Sequence, residues 1–184
     1  AALAREGAHL ALVYATSREA AEGVARDLAA RHQINAAAFA CDVTDSGAIA
    51  GLVQQVLARF GRIDILVNDA AYNKAIPFGD LDGLTDAVWD IAYAVSKAGL
   101  NHLTRCMAVG LAPEILVNCV APGLLEGTRA TANLLPEQIE RSAAAAVLRK
   151  PADKDDCAEM VLAMCRTETM TGQTVVIDAG RVFH

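Results

Sequence analysis

The stretch HLALVYATSREAAEGVARDLAARHQINAAAFACDV, residues 9–43, sets out a strand, a helix and a second strand. The apolar run at 9–15 is typical of a strand that is buried on both faces. Thr16 and Glu19 stand at the spacing of a capping box, which predicts that a helix begins directly after Thr16. A second apolar run completes the unit. This order predicts two parallel strands joined by a right-handed crossover.

The rest of the chain repeats this alternation of strands and helices. After Asp45 the apolar residues keep helical spacing up to Gly61, and glycine is a usual residue at a helix end. Further strands are predicted at 64–68, 115–123 and 174–178, and further helices at 93–110 and from Pro136. We therefore expect an α/β fold: a Rossmann-type doubly wound parallel sheet with helices on both faces, in a single nucleotide-binding domain over residues 1–184.

Composition narrows the functional classes. The chain of 184 residues is 54% hydrophobic and 4% aromatic, which suits one large aliphatic core. A net charge of -6 and a pI near 5.1 argue against the basic surface with which proteins bind nucleic acids, so we expect no such partner. No apolar run reaches the ~20 residues of a membrane span, and no secretory leader pattern is present, so we expect a cytoplasmic protein without a membrane partner.

The five cysteines and four histidines are scattered along the chain. They form no Cys-x-x-Cys pair and do not stand at metal-ligand spacing. We therefore expect buried free thiols, histidines with packing or surface roles, and no metal site.

Ligands of an open parallel sheet bind beyond the carboxyl ends of its strands, so the residues that follow each strand are candidates for a binding site. Small side chains there let a flat cofactor approach the backbone, and the Asp42 carboxylate can accept a hydrogen bond from an adenine amino group. Taken singly, each position is more typical of an ordinary strand-end turn. The candidate residues are Thr16, Ser17, Arg18, Asp42, Val43, Asn68, Ala70, Ala71, Pro122 and Gly123.

Tyr93 and Lys97 are four residues apart in a predicted helix, which places both side chains on one face. The pKa of a phenol is near 10 in water, so tyrosine exchanges protons poorly at neutral pH. A neighbouring ammonium stabilises the phenolate and lowers that pKa. The pair is therefore a candidate proton-transfer site, although the spacing alone is a weak signal.

Short motifs follow one another in a characteristic order along the chain. They are Asp42-Val43, Asn68-Asp69-Ala70-Ala71, Tyr93-Ala-Val-Ser-Lys97, Asn118-Cys-Val-Ala-Pro122-Gly123, and Thr171-Gly172-Gln173 with Asp178-Ala-Gly180. In this order they resemble the signatures of the short-chain dehydrogenase/reductase family over nearly the whole chain. The Ala-Thr-Ser segment at 15–17 and the motifs as a set are similar to those of 3-oxoacyl-(acyl-carrier-protein) reductases.

The resemblance implies hydride transfer between a nicotinamide cofactor and a small carbonyl or alcohol substrate. By this resemblance Tyr93 would be the general acid or base at the substrate oxygen, and Lys97 would lower the phenol pKa and hydrogen-bond the nicotinamide ribose. The loop from Pro122 and Gly123 through Leu125 would hold the nicotinamide carboxamide. Family members commonly assemble as tetramers or dimers, so the resemblance also implies a homo-oligomer.

The end of the first strand bears on the choice between NADP and NAD. Family members that prefer NAD usually carry an Asp or Glu there, which binds the ribose 2′-hydroxyl. This chain has Thr16, Ser17 and Arg18, which can donate to a 2′-phosphate at a helix N-terminus. We therefore expect NADP rather than NAD. The alternative is that Thr16 only caps the helix and Arg18 is solvated, and the two roles can coexist.

Two parts of the family pattern are absent from the sequence. The glycine-rich phosphate loop would precede Ala1. Between residues 90 and 91, the family has several tens of residues that include a catalytic Ser. Deletion of a central strand would leave unpaired backbone groups in the interior, so we interpret this junction as residues omitted from the chain rather than as a natural deletion.

Two other functions stay open. A sugar or polyol dehydrogenase of the same family would share these motifs, because the substrate-contacting residues lie mainly in the absent segment and in the variable region after Gly123. A non-catalytic NADP-binding protein would keep the fold without turnover, since fold alone does not establish activity. The presence of both Tyr93 and Lys97 favours an enzyme.

Overall fold

The computed structural model describes residues 1–69, 86–128, 131–132 and 134–181, with only the helical backbone for 86–94. The chain divides into two compact units, Ala1–Pro77 and Phe78–His184. Each unit contains two parallel strands together with helices, as expected of an α/β protein. Within the described ranges, no helix is both long enough and apolar enough to cross a bilayer.

The first unit is built on a strand–helix–strand arrangement. Its elements are α1 (Ala2–Arg5), β1 (Leu10–Tyr14), α2 (Arg18–His32), β2 (Ala36–Ala40) and α3 (Ser46–Phe60). β1 and β2 pair in parallel, from Leu10 opposite Ala36 to Tyr14 opposite Ala40. α2 is the connection between them, so the predicted order of strand, helix and parallel strand is confirmed. β1 is not buried on both faces as predicted, because its side chains alternate and Val13 keeps 47% of its surface exposed.

A small aliphatic cluster forms the core of this unit. Ala4 of α1, Leu28 of α2 and Ile34 are buried, and Leu10 and Ala36 pack against them. Leu10 and Ala36 are also the first paired residues of the two strands. Burial of the cluster therefore fixes the register of β1 and β2, because a slip of one residue would move these side chains to the opposite face.

α3 has well-defined ends. The Asp45 carboxylate accepts hydrogen bonds from the amides of Gly47 at 2.8 Å and Ala48 at 3.1 Å, which caps the N-terminus. At the other end Gly61 is left-handed (φ 80°), and its N–H donates to the Leu57 carbonyl at 2.8 Å. Both ends lie where the sequence predicts them.

The N-terminus of α2 differs from the prediction. The helix begins at Arg18, and the residue at the capping position is Ser17, whose side chain makes no capping hydrogen bond. Glu19 therefore stands at the second helical position, whereas a capping box needs it at the third. The predicted capping box of Thr16 and Glu19 is wrong because the helix starts one residue later.

The predicted strand at 64–68 is also absent. Residues 62–69 lie outside any helix or strand and are exposed, and Leu66 retains 76% of its accessible surface. A strand is formed where a neighbouring strand completes its hydrogen bonds, and within the described residues no strand pairs with 64–68. A local contact orders the start of the segment, where Arg62 Nε donates to the Asp64 carboxylate at 2.8 Å.

The second unit has a long helix, a strand, two helices and a second strand. These elements are α4 (Asp86–Gly110), β3 (Cys119–Pro122), α5 (Pro136–Ala145), α6 (Lys154–Arg166) and β4 (Thr174–Ile177). β3 and β4 pair in parallel, from Cys119 opposite Thr174 to Pro122 opposite Ile177. The predicted start of α5 at Pro136 is confirmed. α4 contains the predicted helix at 93–110 and begins further upstream, at Asp86.

Asn118 joins the starts of β3 and β4. Its Nδ2 donates to the Met170 carbonyl at 2.7 Å, and its Oδ1 accepts from the Gln173 amide at 3.1 Å. The Val117 amide donates to Thr171 Oγ1 at 3.1 Å. Two of the sequence motifs, around Asn118 and at Thr171-Gly172-Gln173, thus hold the strand pair together.

The thiols are more exposed than the sequence predicts. Cys41 is buried, Cys119 and Cys157 are half-buried, and Cys106 and Cys165 are exposed. The prediction of five buried thiols is wrong for Cys106 and Cys165, because both lie on exposed faces of helices. No three His, Cys, Asp or Glu side chains of the described residues are grouped to hold a metal ion.

Candidate cofactor and catalytic site

The carboxyl ends of β1 and β2 lie side by side. Cys41 N donates to the Tyr14 carbonyl at 2.9 Å, which continues the parallel pairing one residue beyond the strands. The segments that follow, 16–18 and 42–43, are therefore neighbours at one edge of the sheet. All five of these residues are exposed. The structure brings together the residues predicted to contact the adenosine half of a dinucleotide.

Thr44 holds the Asp42 carboxylate with two hydrogen bonds. The Thr44 amide and the Thr44 hydroxyl both donate to Asp42 Oδ1, at 2.9 Å and 2.7 Å. These hydrogen bonds favour the charged form, so the pKa of the Asp42 carboxyl lies below its ordinary value. Asp42 is consequently a hydrogen-bond acceptor at neutral pH.

Arg18 forms an ion pair on the first turn of α2. Its Nε donates to Glu22 Oε1 at 2.8 Å, and Arg26 Nη1 lies 4.0 Å from the other Glu22 oxygen. The hydrogen bond from Arg18, together with its charge, lowers the pKa of the Glu22 carboxyl, and the same contact raises the pKa of Arg18. Arg18 is therefore paired on the helix surface, and its side chain keeps 73% of its surface exposed. The alternative that Arg18 is solvated stays open.

The N-terminus of α2 is suited to an anion. The Ser17 hydroxyl makes no capping bond, and Ser17 contributes its carbonyl to the helix by accepting from Ala21 N at 3.0 Å. The first amides of a helix carry partial positive charge and lack partners within the helix. With Arg18 as the first helical residue, this end of α2 offers donors of the kind that bind phosphate.

Of the remaining candidate residues of the first unit, the structure describes only Asn68. Asn68 lies in the exposed segment after α3. Ala70 and Ala71 lie outside the described residues, so the approach of a cofactor to their backbone stays a prediction.

α4 carries the predicted proton-transfer pair. Tyr93 and Lys97 both lie within its continuous helical backbone. Positions four apart on an α-helix are separated by ~6 Å along the axis and lie on one face. Lys97 is exposed, and the Tyr93 side chain lies outside the described residues.

The loop after β3 is fixed against the end of β4. Pro122 is the last residue of β3, and the Gly123 amide donates to the Ile177 carbonyl at 2.9 Å. A Cβ at position 123 would lie 2.8 Å from both Cα and Cβ of Asp178, so only glycine fits there. The absence of a side chain at Gly123 thus serves close packing of the two strand ends, a role that the sequence does not reveal.

Leu125 lies in a hydrogen-bonded turn. It forms an isolated parallel bridge with Ala152, just before α6. Its carbonyl accepts from the hydroxyl of Thr131 at 2.7 Å and from that of Thr128 at 3.2 Å. The segment from Pro122 to Leu125 is therefore anchored at both ends within its unit.

Three contacts of the site were not predicted from the sequence. They are the hydrogen bonds from Thr44 to Asp42, the ion pair of Glu22 with Arg18, and the packing of Asp178 against Gly123. The first two had a local signal. Thr44 stands two residues after Asp42, a spacing that favours a side chain to backbone turn, and Glu22 stands four residues after Arg18. The third joins residues far apart in sequence and leaves no local signal.

The strand pairing, the crossover helix and the polar residues at the strand ends define a nucleotide-binding α/β protein of the Rossmann type. Similar solved structures confirm this class. A doubly substituted short-chain dehydrogenase/reductase of Serratia marcescens matches with a TM-score of 0.82 and 25% identity, over 97% of this chain and 89% of that one.

Sequence comparison narrows the class to one family. A family model described as enoyl-(acyl carrier protein) reductase matches residues 1–92 and 88–181. The chain belongs to the short-chain dehydrogenase/reductase family, and it is an NAD(P)-dependent oxidoreductase of that family. The two matched segments overlap at 88–92, the stretch that contains the junction between residues 90 and 91.

Two relatives show the extent of the similarity. The 3-oxoacyl-(acyl-carrier-protein) reductase FabG of Staphylococcus aureus is 28% identical over 222 residues, covering 97% of this chain and 89% of its own. The short-chain dehydrogenase/reductase homolog YusR of Bacillus subtilis is 37% identical over 103 residues, covering 56% of this chain and 78% of its own. The first of these alignments is longer than the chain of 184 residues, so the relative contains residues that this chain lacks.

Proposed function

We propose that the protein reduces the carbonyl group of a 3-oxoacyl thioester with NADPH, and catalyses the reverse oxidation of the corresponding alcohol. The observation that carries the proposal is α4, in which Tyr93 and Lys97 lie one turn apart in an unbroken helix. Side chains at this spacing share a face. A phenol and an ammonium on one face are suited to transfer a proton at neutral pH.

Each residue of the pair has a distinct task in this proposal. Tyr93 gives its Oη proton to the carbonyl oxygen during reduction, and takes it back during oxidation. Lys97 stabilises the phenolate that results and donates to the nicotinamide ribose. The segment from Pro122 to Leu125 holds the carboxamide. Bound NADPH supplies the hydride that the substrate carbon receives.

The adenosine end of the proposed site fits NADP. Asp42 is an acceptor for the adenine amino group, and Val43 lies beside it with 44% of its surface exposed. Ser17 and Thr16 hydroxyls, Arg18 and the open end of α2 are donors for a 2′-phosphate. Asn68, Ala70 and Ala71 complete the proposed site.

The substrate class is supported by similarity in sequence. The Staphylococcus aureus relative, similar over 97% of this chain, is a 3-oxoacyl-(acyl-carrier-protein) reductase. In a reduction of this kind the carbonyl oxygen becomes a hydroxyl. This oxygen needs a proton, which a phenol can donate. We therefore place the 3-oxoacyl thioesters ahead of sugars and polyols as substrates.

We also propose that the enzyme works in the cytoplasm as a homo-oligomer. All five cysteines are free thiols, as is usual in a reducing compartment. Leu100, Leu103 and Met107 recur at helical spacing on α4 and keep 46%, 50% and 39% of their surface exposed. An exposed apolar stripe of this kind is suited to a second subunit. Light scattering on the purified protein tests this point, and a monomer would contradict it.

The test of the activity is NADPH oxidation with a panel of 3-oxoacyl thioesters and ketoses. We expect turnover with the thioesters, and a loss on the order of 100-fold or more in kcat for Tyr93→Phe, which removes the proton donor. Tyr14→Phe is the matched control, because it removes a phenol from β1 and should keep activity within about twofold. Full activity of Tyr93→Phe would remove Tyr93 from its proposed role.

Cofactor preference is tested on the same enzyme. We expect a higher kcat/KM with NADPH than with NADH, and Arg18→Ala should reduce that ratio by about tenfold, because charged hydrogen bonds to phosphate are strong. Equal or better efficiency with NADH in the unsubstituted enzyme would overturn the preference for NADP.

A further inference from the structure

We propose that Thr44 is a positioning residue that turns the Asp42 carboxylate toward the adenine of the cofactor. The inference rests on the proposed NADP site and specifies how one end of it selects its ligand. The amide and the hydroxyl of Thr44 both donate to the same oxygen of the Asp42 carboxylate.

The two contacts fix the carboxylate and leave one oxygen for a ligand. Both Thr44 donors go to Oδ1, at 2.9 Å and 2.7 Å. An ionised carboxylate has about four acceptor sites on its two oxygens, so these donors use the capacity of Oδ1. Oδ2 accepts no hydrogen bond within the part of the chain that the structure describes. Asp42 is exposed, so a ligand can reach this oxygen.

The backbone around Asp42 is held on both sides. Cys41 N donates to the Tyr14 carbonyl at 2.9 Å, and Asp45 N donates to the Asp42 carbonyl at 3.1 Å. Asp45 in turn caps α3. Because the main chain is fixed between β2 and α3, rotation of the Asp42 side chain is the freedom that remains, and Thr44 restricts it.

The arrangement selects one purine base over another. Adenine carries an amino group at C6, which donates to a carboxylate oxygen, whereas hypoxanthine carries a carbonyl oxygen there, which a carboxylate repels. Asp42 held with Oδ2 outward should therefore favour the adenine dinucleotide over its hypoxanthine analogue. An asparagine at position 42 would present its amide nitrogen in place of Oδ2 if Thr44 keeps Oδ1, and this would favour the hypoxanthine analogue instead.

The experiment measures binding of NADPH and of its hypoxanthine analogue by nicotinamide fluorescence. We expect the protein to bind NADPH about tenfold more tightly than the analogue, and Thr44→Val to weaken NADPH binding about fivefold while analogue binding changes less than twofold. Thr44→Ser keeps the hydroxyl and should restore discrimination. Asp42→Asn should reverse the preference. Thr167→Val is the matched control, because it removes a hydroxyl that bonds the Met164 carbonyl at the end of α6.

The outcomes separate this inference from the proposed function. Equal weakening of both dinucleotides by Thr44→Val would make Thr44 a structural turn residue and overturn the inference, as would failure of Thr44→Ser to restore discrimination. The unsubstituted protein and Asp42→Asn could both bind NADPH tightly and yet bind the hypoxanthine analogue equally well. That result would also overturn the inference about Thr44, but it would leave the proposed oxidoreductase function intact. A protein that binds neither dinucleotide would overturn the proposed function itself.

Discussion

The identity of Gly123 is constrained by the residues around it. We expect Gly123→Ala to lower the free energy of unfolding by about 1–3 kcal/mol, because its Cβ would meet Asp178 at 2.8 Å and the strand ends would have to separate. Urea denaturation measures the change. Gly51→Ala is the matched control, since position 51 lies within α3 with open space around it, and there alanine should stabilise by roughly 0.5–1 kcal/mol. Equal effects at the two positions would contradict the assigned packing.

The pKa of the Asp42 carboxyl depends on its hydrogen bonds from Thr44. We expect its carboxyl to titrate below the ordinary value of 3.8, and Thr44→Val to move the pKa back toward it. A pKa that is lower in the folded state means that the carboxylate contributes stability above the ordinary pKa, and that this contribution disappears as pH falls through the lowered value. Carbon-detected NMR measures the pKa. A pKa that is unchanged in Thr44→Val would show that the hydroxyl does not act on Asp42.

A carboxylate caps the N-terminus of α6, whereas α2 has no side-chain cap. The Asp153 carboxylate accepts from the amides of Asp155 at 2.6 Å and Asp156 at 3.3 Å, which caps α6. We expect Asp153→Ala to cost about 1 kcal/mol of unfolding free energy. Ser17→Ala should cost only a few tenths, because the Ser17 side chain makes no capping bond in α2. Thermal unfolding of the two variants side by side measures the contrast, and a larger loss for Ser17→Ala would show that its hydroxyl does cap α2.

Elements with strong local signals could be predicted from the sequence. α3 has a capping Asp45, helical periodicity and Gly61, and it occupies the predicted range. Residues 64–68 have an equally apolar sequence, yet they form no strand, because a strand depends on a partner that local pattern does not specify. The position of Asp42 after a strand could likewise be predicted, and the spacing of Thr44 was a local signal for its contact with Asp42. The packing of Gly123 against Asp178 could not be predicted, because it joins residues far apart in the sequence.

At the scale of the whole molecule, the junction between residues 90 and 91 is open to test. The family model matches in two segments that meet at 88–92, and the alignment with the Staphylococcus aureus relative is longer than the chain. We therefore expect the protein isolated from its source to have a mass above 19.3 kDa, with additional residues inside this junction. Intact-mass spectrometry and peptide mapping measure both. A peptide in which Asp90 is followed directly by Ile91 would contradict the expectation.

The pairing of β3 with β4 has a consequence for how the protein is made. Asn118, at the start of β3, binds Gln173, which is 55 residues further along the chain, and Gly123 depends on Ile177 and Asp178 in the same way. During synthesis the nascent chain exposes β3 to the cell long before its partner leaves the ribosome. The loop that we assign to the nicotinamide can therefore take shape only late in translation, and until then an apolar strand without a partner is a target for chaperones.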